Sequence, residues 1–448
     1  MRSDAAMNNM LLDVDIDRIK KNHDVSKNVS TYNAILHLPN KDIELDYLVY
    51  VDTTSDYNQS VTDSITIQFV VMNGVFHKEI VPNIDTLFIT LIKRDGIDKK
   101  TNRYKFVIAN HTSANVGNMT TNNNQEELDK EGMKVVYGQA INISYYATRL
   151  ITSSATLTGV SIEKAIIASF NDFFNSTREI SINGKPIKLD TLNLDTPDNS
   201  NIYNAIVFPT KTGIYDLATQ LQDDYGVYNG HIGTYISNEK VDDAWIDVIS
   251  IYPLYNPEAV KNRKRRLRIF AAKGITTQFL DVSFVDSKNT LDIICSAETS
   301  SKQIFSQHSS NSGAGYSMLD ANYITKGNTI DDSRKVGNDS KLYNKEAYDK
   351  KDGVPFTYNA GISSNTYEQR SDVLRQKGTL ISIPWNFSRP ELVYPGMTTE
   401  YIFENVENNI PKLKTLNGIV QRIDTRVDIN KKTSSSSIFI FLNNEFSK

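Results

Sequence analysis

At 448 residues, 39% of them hydrophobic and 23% charged, the chain is too long for one core, so about two to four domains are expected. A formal net charge of -4 gives no basis for a dedicated nucleic-acid binder. The lone cysteine, Cys295, excludes a disulfide framework or cysteine-based zinc site within one chain. No apolar run approaches the ~18 residues of a membrane span, and no leader pattern opens the sequence, so a soluble protein used without export is expected.

In chain order, "DVDID" sets Asp13, Asp15 and Asp17 at calcium-loop spacing. Arg18 stands where that loop needs glycine and Asp24 replaces its closing glutamate, so the motif fails. "DIELDYLVYVD" places Ile43, Leu45, Tyr47, Val49 and Val51 on alternate positions, the period of a strand with one buried face. "DSITIQFVVMNG" repeats it through Ile65, Ile67, Phe69 and Val71 and ends on Asn73-Gly74, a hairpin signal. With "TLFITLIKRDG" and "YKFVIAN", these predict an antiparallel sheet or small barrel within 30–150, carrying the polar loop "ANVGNMTTNNNQEELDKEG".

Helical spacing begins at "TGVSIEKAIIASFNDFF", where Ile162, Ile166, Ile167, Phe170, Phe173 and Phe174 recur on one face and Thr158 is the expected N-cap. A second helix is written in "KTGIYDLATQLQDDYGVY": Ile214, Leu217, Ala218 and Leu221 share a face, Thr212 would cap the start and Gly226 the end. The runs "HIGTYIS", "AWIDVISIYPLY", "RLRIFAAK" and "FLDVSFVD" read as strands, giving a mixed α+β region over 155–300. From 299 to 375 the chain turns polar but keeps Tyr316, Tyr323, Tyr343, Tyr348, Tyr358 and Tyr367, a linker or a segment that orders on assembly. Strands resume with "GTLISIPWNF", "TTEYIFENV", "LNGIVQRIDTRVDI" and "SSSIFIFLNN".

No nucleophile elbow, phosphate loop, zinc-protease motif or dinucleotide fingerprint is present, and the six histidines show no metal-ligand spacing. No cofactor and no catalytic residue are therefore expected. The densest charge cluster is "KNRKRRLR", with Lys261, Arg263, Lys264, Arg265, Arg266 and Arg268. It is either a solvated loop leading into a strand or an electrostatic contact for an acidic partner or passing DNA.

The strand containing Trp385, then "SRPELVYPGM", then a strand, then a glycine-valine strand with its return partner, resembles the closing segment of phage tail hub proteins. That family includes the baseplate hub of contractile tails and the related late-control D and VgrG-type proteins. Pro390, Leu392, Pro395, Gly396, Gly418, Val420 and the return Ile438 to Leu442 carry the resemblance. Pro390 and Pro395 would hold an extended approach and Gly396 would permit the turn. A second match runs through Leu217, Leu221, Tyr225, Gly226, Tyr228, Trp245, Tyr252 and Pro253.

The resemblance implies a mainly β fold with an α+β insertion: an arm at 1–29, a tube-like antiparallel β-barrel at 30–155, and a mixed domain at 156–298. The polar segment 299–375 would follow, then a second barrel at 376–448, with strands from 265–295 available to complete it. It further implies a homotrimer whose six barrels match a hexameric tail tube above while seating a trimeric spike below. Other baseplate proteins would meet the α+β region, and DNA would pass transiently through a channel whose wall repels it. The place would be the virion tail, baseplate or tip, after assembly in the host bacterial cytoplasm. A host-recognition or carbohydrate-binding tail protein is the alternative, suggested by 23 tyrosines and two tryptophans.

Overall fold

The computed structural model describes residues 30–45, 47–95, 98–114, 132–182, 184–187, 189–241, 244–257, 266–272, 282–285, 290–296, 367, 371, 374, 378–386, 388–407, 410–429 and 433–443. The arm at 1–29, the polar loop at 115–131, nearly all of 299–375, and Lys261, Arg263, Lys264 and Arg265 lie outside the described residues.

Seven strands build the first unit: β1 (Ser30–His37), β2 (Asp42–Leu45), β3 (Tyr47–Asp56), β4 (Ser64–Met72), β5 (Phe88–Asp95), β6 (Asp98–Ala114) and β7 (Met133–Asn142). They run β3-β4-β7-β6-β5-β1-β2, each neighbour antiparallel, and the sheet rolls until β1 approaches β3. Ile65, Ile67, Phe69 and Val71 alternate inward as their spacing requires, against Leu36, Ile80 and Phe106.

Two details depart from the expectation. Tyr47 is 63% exposed and Leu48 takes its place inside, because the strand breaks between β2 and β3 and Val49 is bulged opposite Phe69 and Gln68. The two shifts cancel, so Leu45 and Val51 still face the core. Asn73-Gly74 makes no hairpin either; Asn73–Val75 opens a helical stretch of changing pitch through Phe76–Ile80 and Val81–Thr86. Phe76 and Ile80 lie one turn apart and fully inside, so burying them outweighs a local turn, and β4 pairs with the distant β7.

A second core belongs to the middle of the chain. It holds β8 (Thr152–Ser161), β9 (Ser181–Ile182), β10 (Lys185–Pro186), β11 (Leu189–Leu194), β12 (Ile202–Gly213), β13 (Ile232–Val241), β14 (Ala244–Pro253) and the helices Ile162–Thr177 and Leu217–Tyr225. β14 lies between parallel β11 and antiparallel β13, while β8 and β12 form a separate ribbon. The first helix is capped by Ser161, whose Oγ accepts from the Lys164 amide at 3.4 Å; Thr158 sits in β8. Phe170, Phe173 and Phe174 are buried, each worth about 1.5–3 kcal/mol, whereas Ile167 is 39% exposed. Thr212 is likewise a strand residue; the second helix begins after Asp216 without a side-chain cap.

The third core is formed by β15 (Arg266–Ala272), β16 (Val282–Val285), β17 (Thr290–Ser296), β18 (Gly378–Asn386), β19 (Thr398–Glu407), β20 (Ile410–Asp428) and β21 (Thr433–Asn443). β15 lies parallel to both β17 and β19, the sheet rolls until β17 approaches β18, and Leu267, Ile269, Ile293, Trp385, Val420 and Ile440 fill the interior.

The outer cores share one sheet. Over its first half β20 pairs with β19, from Glu407↔Ile410 to Thr398↔Ile419. Over its second half it pairs with β3, from Arg422↔Asp56 to Asp428↔Tyr50. Its 19 residues thus carry through both cores a mixed sheet of 14 strands among the described residues. Among the described residues the fold is mainly β with a few helices, and the sheet forms no closed barrel.

Candidate functional site

The proline-rich stretch noted in the sequence lies where the three cores meet. Its start is anchored by hydroxyls: Ser388 donates its amide to the Ser434 carbonyl at 2.9 Å, and its Oγ lies 2.8 Å from Ser434 Oγ and 2.7 Å from Ser436 Oγ. The approach is coiled and not extended as expected. Pro390–Leu392 forms one 3₁₀ turn with proline leading, closed by the Val393 amide on the Pro390 carbonyl at 3.0 Å. Proline's fixed φ suits that position as well as it suits an extended one. Gly396 then turns the chain with φ 69°, and the Met397 amide closes back on Tyr394 at 3.2 Å.

The reversal is shaped by Tyr252. A methyl group at Gly396 would stand 2.7 Å from Tyr252 Cγ and Cδ2, and one at Gly233 would stand 2.6 Å from Cε2. The ring is held between two glycines, and its Oη donates to the Tyr57 carbonyl at 2.7 Å. Both stretches that carry the sequence resemblance therefore touch, Tyr252 from one and Gly396 from the other. Gln421, in the β20 bulge after Val420, completes the joint. Its Nε2 donates to Leu254 O at 2.6 Å and its main-chain carbonyl accepts the Tyr57 amide at 2.8 Å. Pro253 closes β14 opposite Ile232, while Gly418 lets β20 and β21 approach, a methyl there falling 2.3 Å from the Phe441 carbonyl.

Charge is handled inside this joint. Glu391, on the 3₁₀ turn, accepts from Lys93 Nζ of β5 at 2.8 Å through Oε2 and from Arg389 Nε at 3.3 Å through Oε1. Burial pushes the Glu391 carboxyl upward, but the Lys93 charge and hydrogen bond outweigh it and hold it below the ordinary range. Asp247 joins the first unit to the middle one by accepting from Ser144 Oγ at 2.5 Å, Asn238 at 3.0 Å and Asn142 at 3.3 Å. Burial raises its carboxyl against those bonds. Burial lowers Lys100, whose Nζ lies 4.6 Å from the Trp245 ring centre.

The remaining residues singled out in the sequence lie elsewhere. Tyr225 and Gly226 end the second helix in the middle core; Gly226 has φ 76°, and its amide bonds to the Leu221 and Gln222 carbonyls at 3.0 Å. Gln222, fully buried and not singled out, clamps that turn by accepting from the Val227 and Tyr228 amides at 3.0 and 2.9 Å and donating to Tyr228 O at 3.0 Å. Of the basic run, Arg266 pairs with Glu400 at 3.0 Å, and Arg268 grips buried Asp292 with two bonds of 2.7 Å. Among the described residues no cluster has the make-up of a metal site, and no helix is long and apolar enough to cross a membrane.

No protein-family model matches the chain, and no curated protein does. Among solved structures, a tail protein from Neisseria meningitidis MC58 is 6% identical and aligns over 92% of this chain and 96% of its own at TM-score 0.39. The 43 kDa tail protein of prophage MuSo2 from Shewanella oneidensis is 8% identical, with the same coverage and TM-score. The E. coli c3393 protein, a type VI secretion component described as similar to the T4 tail proteins gp27 and gp5, is 8% identical over 92% of this chain and 77% of its own at TM-score 0.41. In these matches the chain is similar to two tail proteins, one of them from a prophage, and to a type VI secretion protein.

Proposed function

We propose that this chain is a structural protein of a phage-type tail: a central hub whose three copies form a ring between a hexameric tail tube and a trimeric spike. In this reading each outer core is one tube-like unit. The observation that carries it is the β3–β20 ladder, which sets two rolled-sheet units edge to edge in a single chain. Three such pairs offer six similar units to a six-fold partner while keeping three-fold symmetry for the spike, which a plain trimer cannot do. The middle unit would stand outside the ring, against other baseplate proteins, and DNA would pass through the channel without being held. The hub would act by geometry alone, with no turnover and no cofactor, in the virion tail after assembly in the host cytoplasm.

Electron microscopy of the purified protein tests this. Ring-shaped particles with six similar densities on one face and three-fold symmetry overall are expected. Particles without a ring, alone or with tube and spike proteins, would overturn the reading.

A further inference from the structure

We propose that Glu391 is a stay that fixes the angle between the two rolled-sheet units by tying the 388–397 elbow to a strand outside the β3–β20 ladder. One antiparallel ladder joins two sheets much as a hinge does, since twist between neighbouring strands ranges over about 10–35°. The backbone bond between Tyr57 and Gln421 lies at the end of that same ladder and adds little resistance to twist.

Lys93 is placed differently. It belongs to β5, which is separated from β3 by β4, β7 and β6 in hydrogen-bond order. Its bond to Glu391 spans 298 residues of sequence, and each of the two side chains is 9% exposed. Arg389 occupies the other carboxylate oxygen. An exposed pair would hold nothing. A pair nine-tenths buried acts through the cost of parting, because a change of angle would pull the buried Lys93 ammonium from the Glu391 carboxylate and forfeit their charge-assisted bond away from water. Its effect is to select one arrangement over others. The importance of that angle for ring closure rests on the hub reading; the stay itself does not.

Spin labels on Thr112 of β6 and Ser435 of β21, both exposed, report the angle in a Cys295→Ala background. Dilution with unlabelled chain keeps the measured distance within one molecule, whatever the oligomeric state. A single narrow distance distribution is expected for the parent, and one about twice as broad for Glu391→Gln. Glu79→Gln, which removes the surface pair with Lys41, should leave it unchanged. Should E391Q not fold, Lys93→Met with Glu391→Met removes both charges and retains apolar volume; it too should broaden the distribution. A distribution from a folded variant that superimposes on the parent overturns the proposal. Failure to form a ring would overturn the hub reading and leave this result standing.

Discussion

Replacing Gly396 by alanine attacks the joint at its tightest point. The backbone there has φ 69°, and an L side chain in that region costs about 1–2 kcal/mol. The added methyl would also stand 2.7 Å from the Tyr252 ring, which Gly233 hems in from another side and the Tyr57 carbonyl holds by its hydroxyl. Forced overpacking of this kind costs about 1–3 kcal/mol. The two contributions make Gly396→Ala about 2–5 kcal/mol destabilising. Urea unfolding followed by Trp385 fluorescence in a Trp245→Phe background reads the core concerned, since Trp385 is fully buried there. Tyr252→Ala alone should cost about 3–5 kcal/mol. In that background Gly396→Ala should retain only its backbone part, leaving a coupling of about 1–3 kcal/mol. A loss below about 0.5 kcal/mol, or a loss indifferent to the Tyr252 ring, would refute the reasoning.

Other outcomes follow from the same contacts. Gln222→Leu strips partners from two buried amides and should lower stability by about 2–4 kcal/mol in thermal unfolding; a neutral result would mean the turn holds without its clamp. Arg268→Ala takes two charge-assisted bonds from the buried Asp292 carboxylate and should cost about 3–5 kcal/mol. Arg426→Ala, which loses a 3.7 Å contact to Asp52 in the open, should cost under about 1 kcal/mol, and equal losses would contradict the burial argument. Because the folded carboxyl of Glu391 lies below its unfolded value of 4.5, its contribution is present above that pH and fades as acidity passes through the folded value. The stability gap between parent and Glu391→Gln, measured against pH, should therefore shrink on acidification; a gap that widens would contradict the assigned direction.

Local pattern explains what was legible. The alternation Ile65 to Val71 and the helical faces at Ile162 to Phe174 and Ile214 to Leu221 sort inward and outward by period alone, with Ile167 the exception. Both stretches that resemble tail hubs were visible, and so was the need for glycine at 396. Their contact was not, because period says nothing about which of many turns meets a tyrosine more than a hundred residues away. The Asn73-Gly74 signal misled because the burial of Phe76 and Ile80 is decided by a core assembled from distant strands. The sharing of β20 between β19 and β3 escaped for a related reason: strand length is readable in sequence, but the change of partner midway is not. Lys93 and Gln222 looked like any polar residues, since their importance comes from burial that only the tertiary structure creates.

The most direct measurement is the absolute mass of the purified protein by light scattering over a range of concentrations. A species of three times the chain mass, persisting on dilution, is what a ring-forming hub requires. A monomer that stays monomeric when mixed with tube and spike proteins would contradict it.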